Sequence, residues 1–259
     1  MPAARPIDFL PLVERLADAS GDVIRRYFRR RIAIDTKDDD SPVTAADREA
    51  EAAIRKIIEA EHPDHGILGE EHGTTRLGAD FVWVIDPIDG TKSFISGVPV
   101  FGTLIALLHE GKPVVGAIDQ PITRERWMAA AGGPATLNGR PVTTRACAGL
   151  DAATLTSTSP DMFTGADADV FGRLRAAVGL VRYGYDCYGY AMLASGHIDL
   201  VLESQLAPYD YCALVPVVEA AGGVLSDWSG RALDLGSDGR MLGAGDPALH
   251  EAALEIISS

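Results

Sequence analysis

Asp86 and Asp89 stand three residues apart in WVIDPIDGTKSF, residues 83–94, behind the apolar run FVWVI. Carboxylates in that arrangement can cap a turn or ligate a cation. Pro87 removes a backbone donor and restrains the chain, while Gly90 permits a tight bend. The Ile88 carbonyl can then face the same way as both carboxylates, an all-oxygen donor set of the kind Mg²⁺ selects. The amides of Gly90 and Thr91 follow at once and could open a helix whose N-terminus receives phosphate. The spacing alone leaves turn and cation site both open.

Further carboxylates bear on the choice. Glu70 and Glu71 follow the short apolar stretch GIL, and Asp210 begins the helix-like segment PYDYCALVPVVEAAGG. Two carboxylates about 4 Å apart repel by about 4 kcal/mol at an effective dielectric near 20. Several such pairs would rival the roughly 5–15 kcal/mol of a domain's net stability. If these residues converge, protons or metal ions must compensate them.

The elements that would position them follow from composition and pattern. The chain has 259 residues, 47% hydrophobic and 23% charged, which fits one large globular domain or two modest ones. Its 37 acidic and 23 basic residues give a formal charge of −14, which opposes binding to nucleic acid or an anionic membrane. An anionic substrate would need local positive charge, and bound divalent cations would supply it. The basic cluster RRYFRRR closes an amphipathic N-terminal helix, where arginine suits the helix dipole. Glu14 and Arg15 interrupt the apolar residues of that helix, which therefore does not read as a signal peptide. Cys147, Cys187 and Cys212 form neither a disulfide framework nor a CxxC pair, so a reducing, cytoplasmic setting is expected.

A second helix is predicted from Thr44 to Glu61, a strand at FVWVID, a short helix at GTKSFISG, and a hairpin turning at Glu110-Gly111. An Asn138-Gly139 turn follows. Beyond it, strands alternate with helices, PYDYCALVPVVEAAGG reads as one helix with a glycine stop, and Asp246 caps a final helix. An α+β half, residues 1–140, thus precedes an α/β half, residues 141–259.

GEE, WVIDPIDGTKSF and PYDYCALVPVVEAAGG closely resemble three signature segments of the inositol monophosphatase family of metal-dependent phosphomonoesterases, and SPVTAADREAE resembles a fourth. The resemblance runs in order through nearly the whole chain. It implies a layered αβαβα sandwich of the inositol monophosphatase / fructose-1,6-bisphosphatase type, commonly a homodimer, acting on a small phosphorylated metabolite. It further implies two to three Mg²⁺ ions. Glu70, Asp86 and the Ile88 carbonyl would hold one, Asp86, Asp89 and Asp210 a second, and Glu70 with waters a weaker third. Asp47 and Thr91, with Glu70 beside them, would place the attacking water, and the Gly90 and Thr91 amides would receive the phosphate. The mechanism so implied is in-line displacement by a metal-activated water, which suits a chain with no G-x-S-x-G elbow.

Within the family, DPIDGTKSFISG and LAPYDYCALVPVVEAAGG resemble the histidinol-phosphate phosphatase branch, since inositol-type members more often carry N-F and W-D where Ser93-Phe94 and Tyr209-Asp210 stand. Histidinol phosphate carries an ammonium and an imidazole. Glu203 and Asp186 fall in segments that line the family's substrate site and could pair with such a cation. An inositol-1-monophosphatase or a broad-specificity phosphatase is the alternative, and intact ligand positions argue against a non-catalytic phosphate binder. Asp199 is assigned to structure, and the run from Lys37 to Asp40 to a solvated loop in the family's metal-side region. His62, His65 and His72 are expected on a surface loop, with a second metal site as the other option.

Overall fold

The structure, a computed structural model, describes residues 5–31, 33–36 and 42–259. The run from Lys37 to Asp40 lies outside the described residues. Helix α1 (Leu10–Tyr27) buries Leu12, Val13, Leu16, Ala17, Val23 and Ile24 along one stripe at helical spacing. Strands β1 (Ile34–Thr36) and β2 (Pro42–Thr44) pair antiparallel and lead into α2 (Ala45–Glu61). A reciprocal cap starts α2: the Thr44 hydroxyl accepts from the Ala46 amide at 3.1 Å, and Asp47 Oδ2 accepts from the Thr44 amide at 2.9 Å.

A mixed sheet follows. It contains β3 (Gly66–Gly69), β4 (Gly73–Thr75), β5 (Phe81–Asp89), β6 (Gly102–His109), β7 (Lys112–Gln120), β8 (Glu125–Ala130), β9 (Thr136–Leu137) and β10 (Arg140–Pro141). Their spatial order is β10-β9-β8-β7-β6-β5-β3-β4, with β3 and β5 parallel and the other pairs antiparallel. The short helix α3 (Thr91–Ile95) interrupts the run between β5 and β6. A smaller sheet holds β11 (Thr154–Ser157), β12 (Leu180–Tyr183), β13 (Leu200–Glu203), β14 (Val224–Ser226) and β15 (Met241–Ala244) in the order β12-β11-β13-β15-β14. Helices α4 (Ala166–Ala177), α5 (Tyr188–Ala194), α6 (Pro208–Tyr211), α7 (Leu214–Ala220) and α8 (Pro247–Ser258), with short 3-10 turns at Pro6–Phe9, Leu150–Ala152 and Pro160–Met162, complete the described chain.

Three apolar clusters stack these elements. Phe9, Leu16, Ile54, Ile58, Trp83 and Ile105 join α1 and α2 to one face of the larger sheet. Val84, Leu104, Trp127, Tyr190, Leu214 and Val218 join its other face to α5 and α7, which also cover the smaller sheet. Leu155, Phe171, Leu202, Leu242, Leu249 and Ala253 seal the far face of that sheet under α4 and α8. Each fully buried Leu or Ile contributes about 1.5–3 kcal/mol. The layers therefore run helix, sheet, helix, sheet, helix, which is the layered α+β sandwich expected. Asp199 serves structure: Arg145 grips it with two bonds at 2.7 Å, and the Thr154 amide donates to it at 2.8 Å. Burial alone would raise its pKa, but these donors outweigh burial and hold it below the ordinary range.

Two expectations need correction. PYDYCALVPVVEAAGG is two helices, α6 and α7, because Pro216 cannot bond back to the Cys212 carbonyl and its ring would meet it. Strand β14, which lies in GGVLSDW beyond the glycine stop, was not anticipated. Among the described residues, no helix is long and apolar enough to cross a membrane.

Candidate active site

Strand β5 carries the first two carboxylates, and its register explains their alignment. In a regular strand, residues three apart face opposite sides of the sheet. Here Asp86 pairs with Leu104 and Asp89 with Gly102, so three steps on β5 match two on β6. That extra residue is a β-bulge, and it restores both aspartates to one side. Pro87, which has no N–H to donate, is tolerated at such a bulge. The Thr103 hydroxyl donates to the Pro87 carbonyl at 2.8 Å and stands 3.0 Å from the Ser20 hydroxyl of α1, which pins the bulge from behind.

Asp210, in the first turn of α6, meets this pair. One oxygen from each of Asp86, Asp89 and Asp210 lies within 4.8 Å of the others. Each carboxylate also accepts from a backbone amide. Asp86 Oδ1 accepts from the Ile88 amide at 2.9 Å, Asp89 Oδ2 from the Cys187 amide at 2.6 Å, and Asp210 Oδ2 from the Ala207 amide at 2.7 Å. Burial raises the pKa of Asp86 well above the carboxylate range, and Glu70, Asp89 and Asp210 raise it further. Burial does the same to Asp89, with Asp186 and Asp210 adding to it. Such mutual destabilisation is relieved by a hard divalent cation, and an all-carboxylate donor set suits one. The residues present fit a metal.

Asp47 and Thr91 also converge. The Thr91 hydroxyl lies 3.3 Å from Asp47 Oδ1 and 3.2 Å from the Ile88 carbonyl, and can donate to one at a time. Asp47 is fully buried, and desolvation raises its pKa against the lowering effect of the Thr44 bonds. Gly90 caps α3 in a left-handed conformation, φ 88°. A cavity of about 200 Å³ opens over this floor, lined by Glu70, Asp89, Gly90, Thr91, Asp186, Glu203 and Asp210 among others. Asp186 and Glu203, expected from the sequence to touch substrate, are thus in the same cavity as the acidic cluster. Glu203 Oε1 accepts from the Thr158 amide at 3.0 Å and from its hydroxyl, and Tyr190 donates to Oε2 at 3.3 Å. Burial pushes the Glu203 carboxyl up to about 7 despite the Thr158 bonds. A larger cavity, about 550 Å³, lies between α1 and the β7–β8 hairpin. Its charges largely cancel, through Arg126 to Asp119 at 2.6 Å and to Asp18 at 2.7 Å, and through Arg25 to Asp22 at 2.6 Å.

Glu51 was not singled out from the sequence. On α2 it is fully buried, and it receives the Glu71 amide at 2.7 Å, the His72 amide at 3.2 Å and Arg55 Nε at 2.6 Å. A Cβ on Gly69 would stand 2.0 Å from Glu51 Oε1, so only glycine leaves room for this carboxylate under the turn that carries Glu70. The i,i+4 pairing of Glu51 with Arg55 looks in sequence like a solvated helix pair. If the turn bearing Glu70 lies at a metal site, Glu51→Ala is expected to raise the divalent-metal concentration for half-activation about 10- to 100-fold, since it removes the bonds to the Glu71 and His72 amides that hold that turn. Metal titration of activity checks this, and an unchanged requirement would leave Glu51 a purely structural residue.

The histidines do not match the expectation of a surface loop throughout. His72 is exposed, but His65 is buried and its Nδ1 accepts from Trp83 Nε1 at 3.1 Å. His62, Asp64 and His65 present ligand atoms within 4.8 Å of one another. The Trp83 bond, however, occupies the Nδ1 lone pair and so assigns the proton of the neutral ring to Nε2. His65 therefore has no lone pair to give a metal while that bond stands.

The model of the "Inositol monophosphatase family" matches residues 8–259. The chloroplastic "Bifunctional phosphatase IMPL2" of Arabidopsis thaliana is 50% identical over 258 residues, covering 96% of this chain and 75% of that protein. A protein named histidinol-phosphatase from Chlorobaculum parvum is 41% identical, covering 86% of each chain. The solved structure of an inositol monophosphatase from Zymomonas mobilis superposes with a TM-score of 0.91 at 46% identity, covering 99% of this chain and 100% of that one.

Proposed function

The chain belongs to the inositol monophosphatase family of phosphoric monoester hydrolases, and from that premise we propose that it hydrolyses L-histidinol phosphate to L-histidinol and phosphate, with Mg²⁺ as its metal. The observation that carries the substrate is the pair Asp186 and Glu203, two carboxylates in the cavity beyond the three-aspartate cluster. Carboxylates can accept from the hydroxyls of a neutral tail, but their charge favours an ester whose tail is cationic. Similarity to proteins named histidinol-phosphatase supports the same reading.

In this reading Glu70, Asp86, the Ile88 carbonyl, Asp89 and Asp210 hold two to three ions. Bound there, Mg²⁺ would lower the pKa of water, offset phosphate charge and stabilise the leaving alkoxide. Asp47 accepts a hydrogen bond from the Thr91 hydroxyl, which leaves a lone pair of that hydroxyl to accept from the attacking water, and Glu70 accepts from the same water. The Gly90 and Thr91 amides receive the phosphate oxygens. Asp186 and Glu203 hold the ammonium and imidazole end, and Tyr190 and Thr158 keep Glu203 from turning away. A cytoplasmic homodimer completes the proposal.

Similarity to the Zymomonas mobilis protein favours a second reading, inositol monophosphatase activity. Phosphate release from histidinol phosphate, inositol 1-phosphate and adenosine 3′,5′-bisphosphate, with and without Mg²⁺, decides between them. Histidinol phosphate should have the highest kcat/KM, and Glu203→Gln should lower it about tenfold for that ester, the worth of one charge-assisted bond. A higher kcat/KM for inositol 1-phosphate would overturn the assignment.

A further inference from the structure

Asp186 occupies an unusual place. Its backbone is left-handed, φ 46°, which aspartate tolerates better than most residues but not freely. That conformation aims the next amide, of Cys187, at Asp89 Oδ2, 2.6 Å away. It also lays the Asp186 carboxyl directly over Gly90, where an added Cβ would come within 2.7 Å of Cγ and Oδ2. One turn along α3 from Gly90, the Ser93 hydroxyl donates to Asp186 Oδ2. Backbone, Gly90 and Ser93 thus hold the carboxyl from three sides.

The choice of donor matters. A guanidinium or ammonium in the place of Ser93 would fix Asp186 equally well but cancel its charge. A neutral hydroxyl fixes Oδ2 without adding a second cation to that of Lys92, which lines the same cavity and acts on Asp186 through space, and Oδ1 is the oxygen left to meet a substrate cation. Resting on the proposed substrate class, we infer that Ser93 is a positioning residue for discrimination: it holds Asp186 for the cationic end of a phosphate ester. Without the bond, the carboxyl is free to turn about χ1 and χ2, and the ordering must come from substrate binding.

The test uses the full chain saturated with Mg²⁺ and compares wild type, Ser93→Ala, Ser93→Thr, Asp186→Asn and the Ser93→Ala/Asp186→Asn double variant. The probes are histidinol phosphate and phosphoethanolamine, which carry a cation, and glycerol 2-phosphate, which does not. Each is read as KM, or as a Ki against p-nitrophenyl phosphate where it is not turned over. Ser93→Ala should weaken both cationic esters about 5- to 10-fold and glycerol 2-phosphate less than about twofold. Ser93→Thr, which keeps the hydroxyl, should restore discrimination, and Ser93→Ala should add nothing to Asp186→Asn. Equal shifts for all esters, additive effects with Asp186→Asn, or a changed Mg²⁺ half-activation would each overturn the inference. The proposed substrate fails separately, on the wild-type ranking of histidinol phosphate against inositol 1-phosphate.

Discussion

Asp89→Asn should lower kcat/KM by about 10³-fold or more while leaving a folded protein. Lewis-acid stabilisation by a bound metal is worth several kcal/mol, and each 1.36 kcal/mol is about tenfold in rate. Asparagine keeps an oxygen that can accept from the Cys187 amide, so the 2.6 Å contact tying β5 to the start of α5 survives. What it loses is one full charge from a cluster whose oxygens lie within 4.8 Å. Thermal melts should then cross over. In EDTA the variant should melt above wild type, since it removes one member of a buried, mutually repelling carboxylate cluster. With Mg²⁺ at 100 times its Kd, wild type gains about 2.7 kcal/mol and should overtake the variant. Full activity in Asp89→Asn, or equal stabilisation of both proteins by Mg²⁺, would remove Asp89 from the metal site.

The acidic residues that cluster here are legible in the sequence, but for uneven reasons. Asp86 and Asp89 stand out because carboxylates behind an apolar segment are costly unless something uses them, and Asp210 joins them through the family resemblance. Their alignment was not legible. Whether residues three apart share a face depends on the bulge against Leu104 and Gly102, and thus on β6, a neighbour supplied by the fold. Glu51 was hidden for the opposite reason: its local pattern is ordinary, and only burial against the Glu71 and His72 amides makes it exceptional. His65, expected on a surface loop, is instead drawn into the core by Trp83, eighteen positions away. The break between α6 and α7 was available in principle, since Pro216 forbids a continuous helix there. Periodic apolar residues on both sides concealed it. Local chemistry was therefore easier to read than the long-range partners that orient it.

Gly90→Ala should be nearly as damaging as loss of a metal ligand, although it adds one methyl group and no charge. Two separate costs meet at this position. A left-handed backbone, φ 88°, costs a residue with a Cβ about 1–2 kcal/mol. The new Cβ would also stand 2.7 Å from the Asp186 carboxyl, and overpacking of that kind costs about 1–3 kcal/mol. The Asp186 backbone cannot yield freely, because its next residue supplies the amide held by Asp89. Relief must come from shifting α3 or the cavity wall, and a misplacement of about 1 Å there is worth about 10²-fold in rate. The two costs can be separated. In an Asp186→Gly background the clashing side chain is gone, so Gly90→Ala should cost only the backbone share, about 1–2 kcal/mol by urea denaturation. In the wild-type background it should cost about 2–5 kcal/mol, the sum of both. Equal costs in the two backgrounds would mean that Gly90 is required for its backbone alone, and that the close approach of Asp186 plays no part in shaping the cavity.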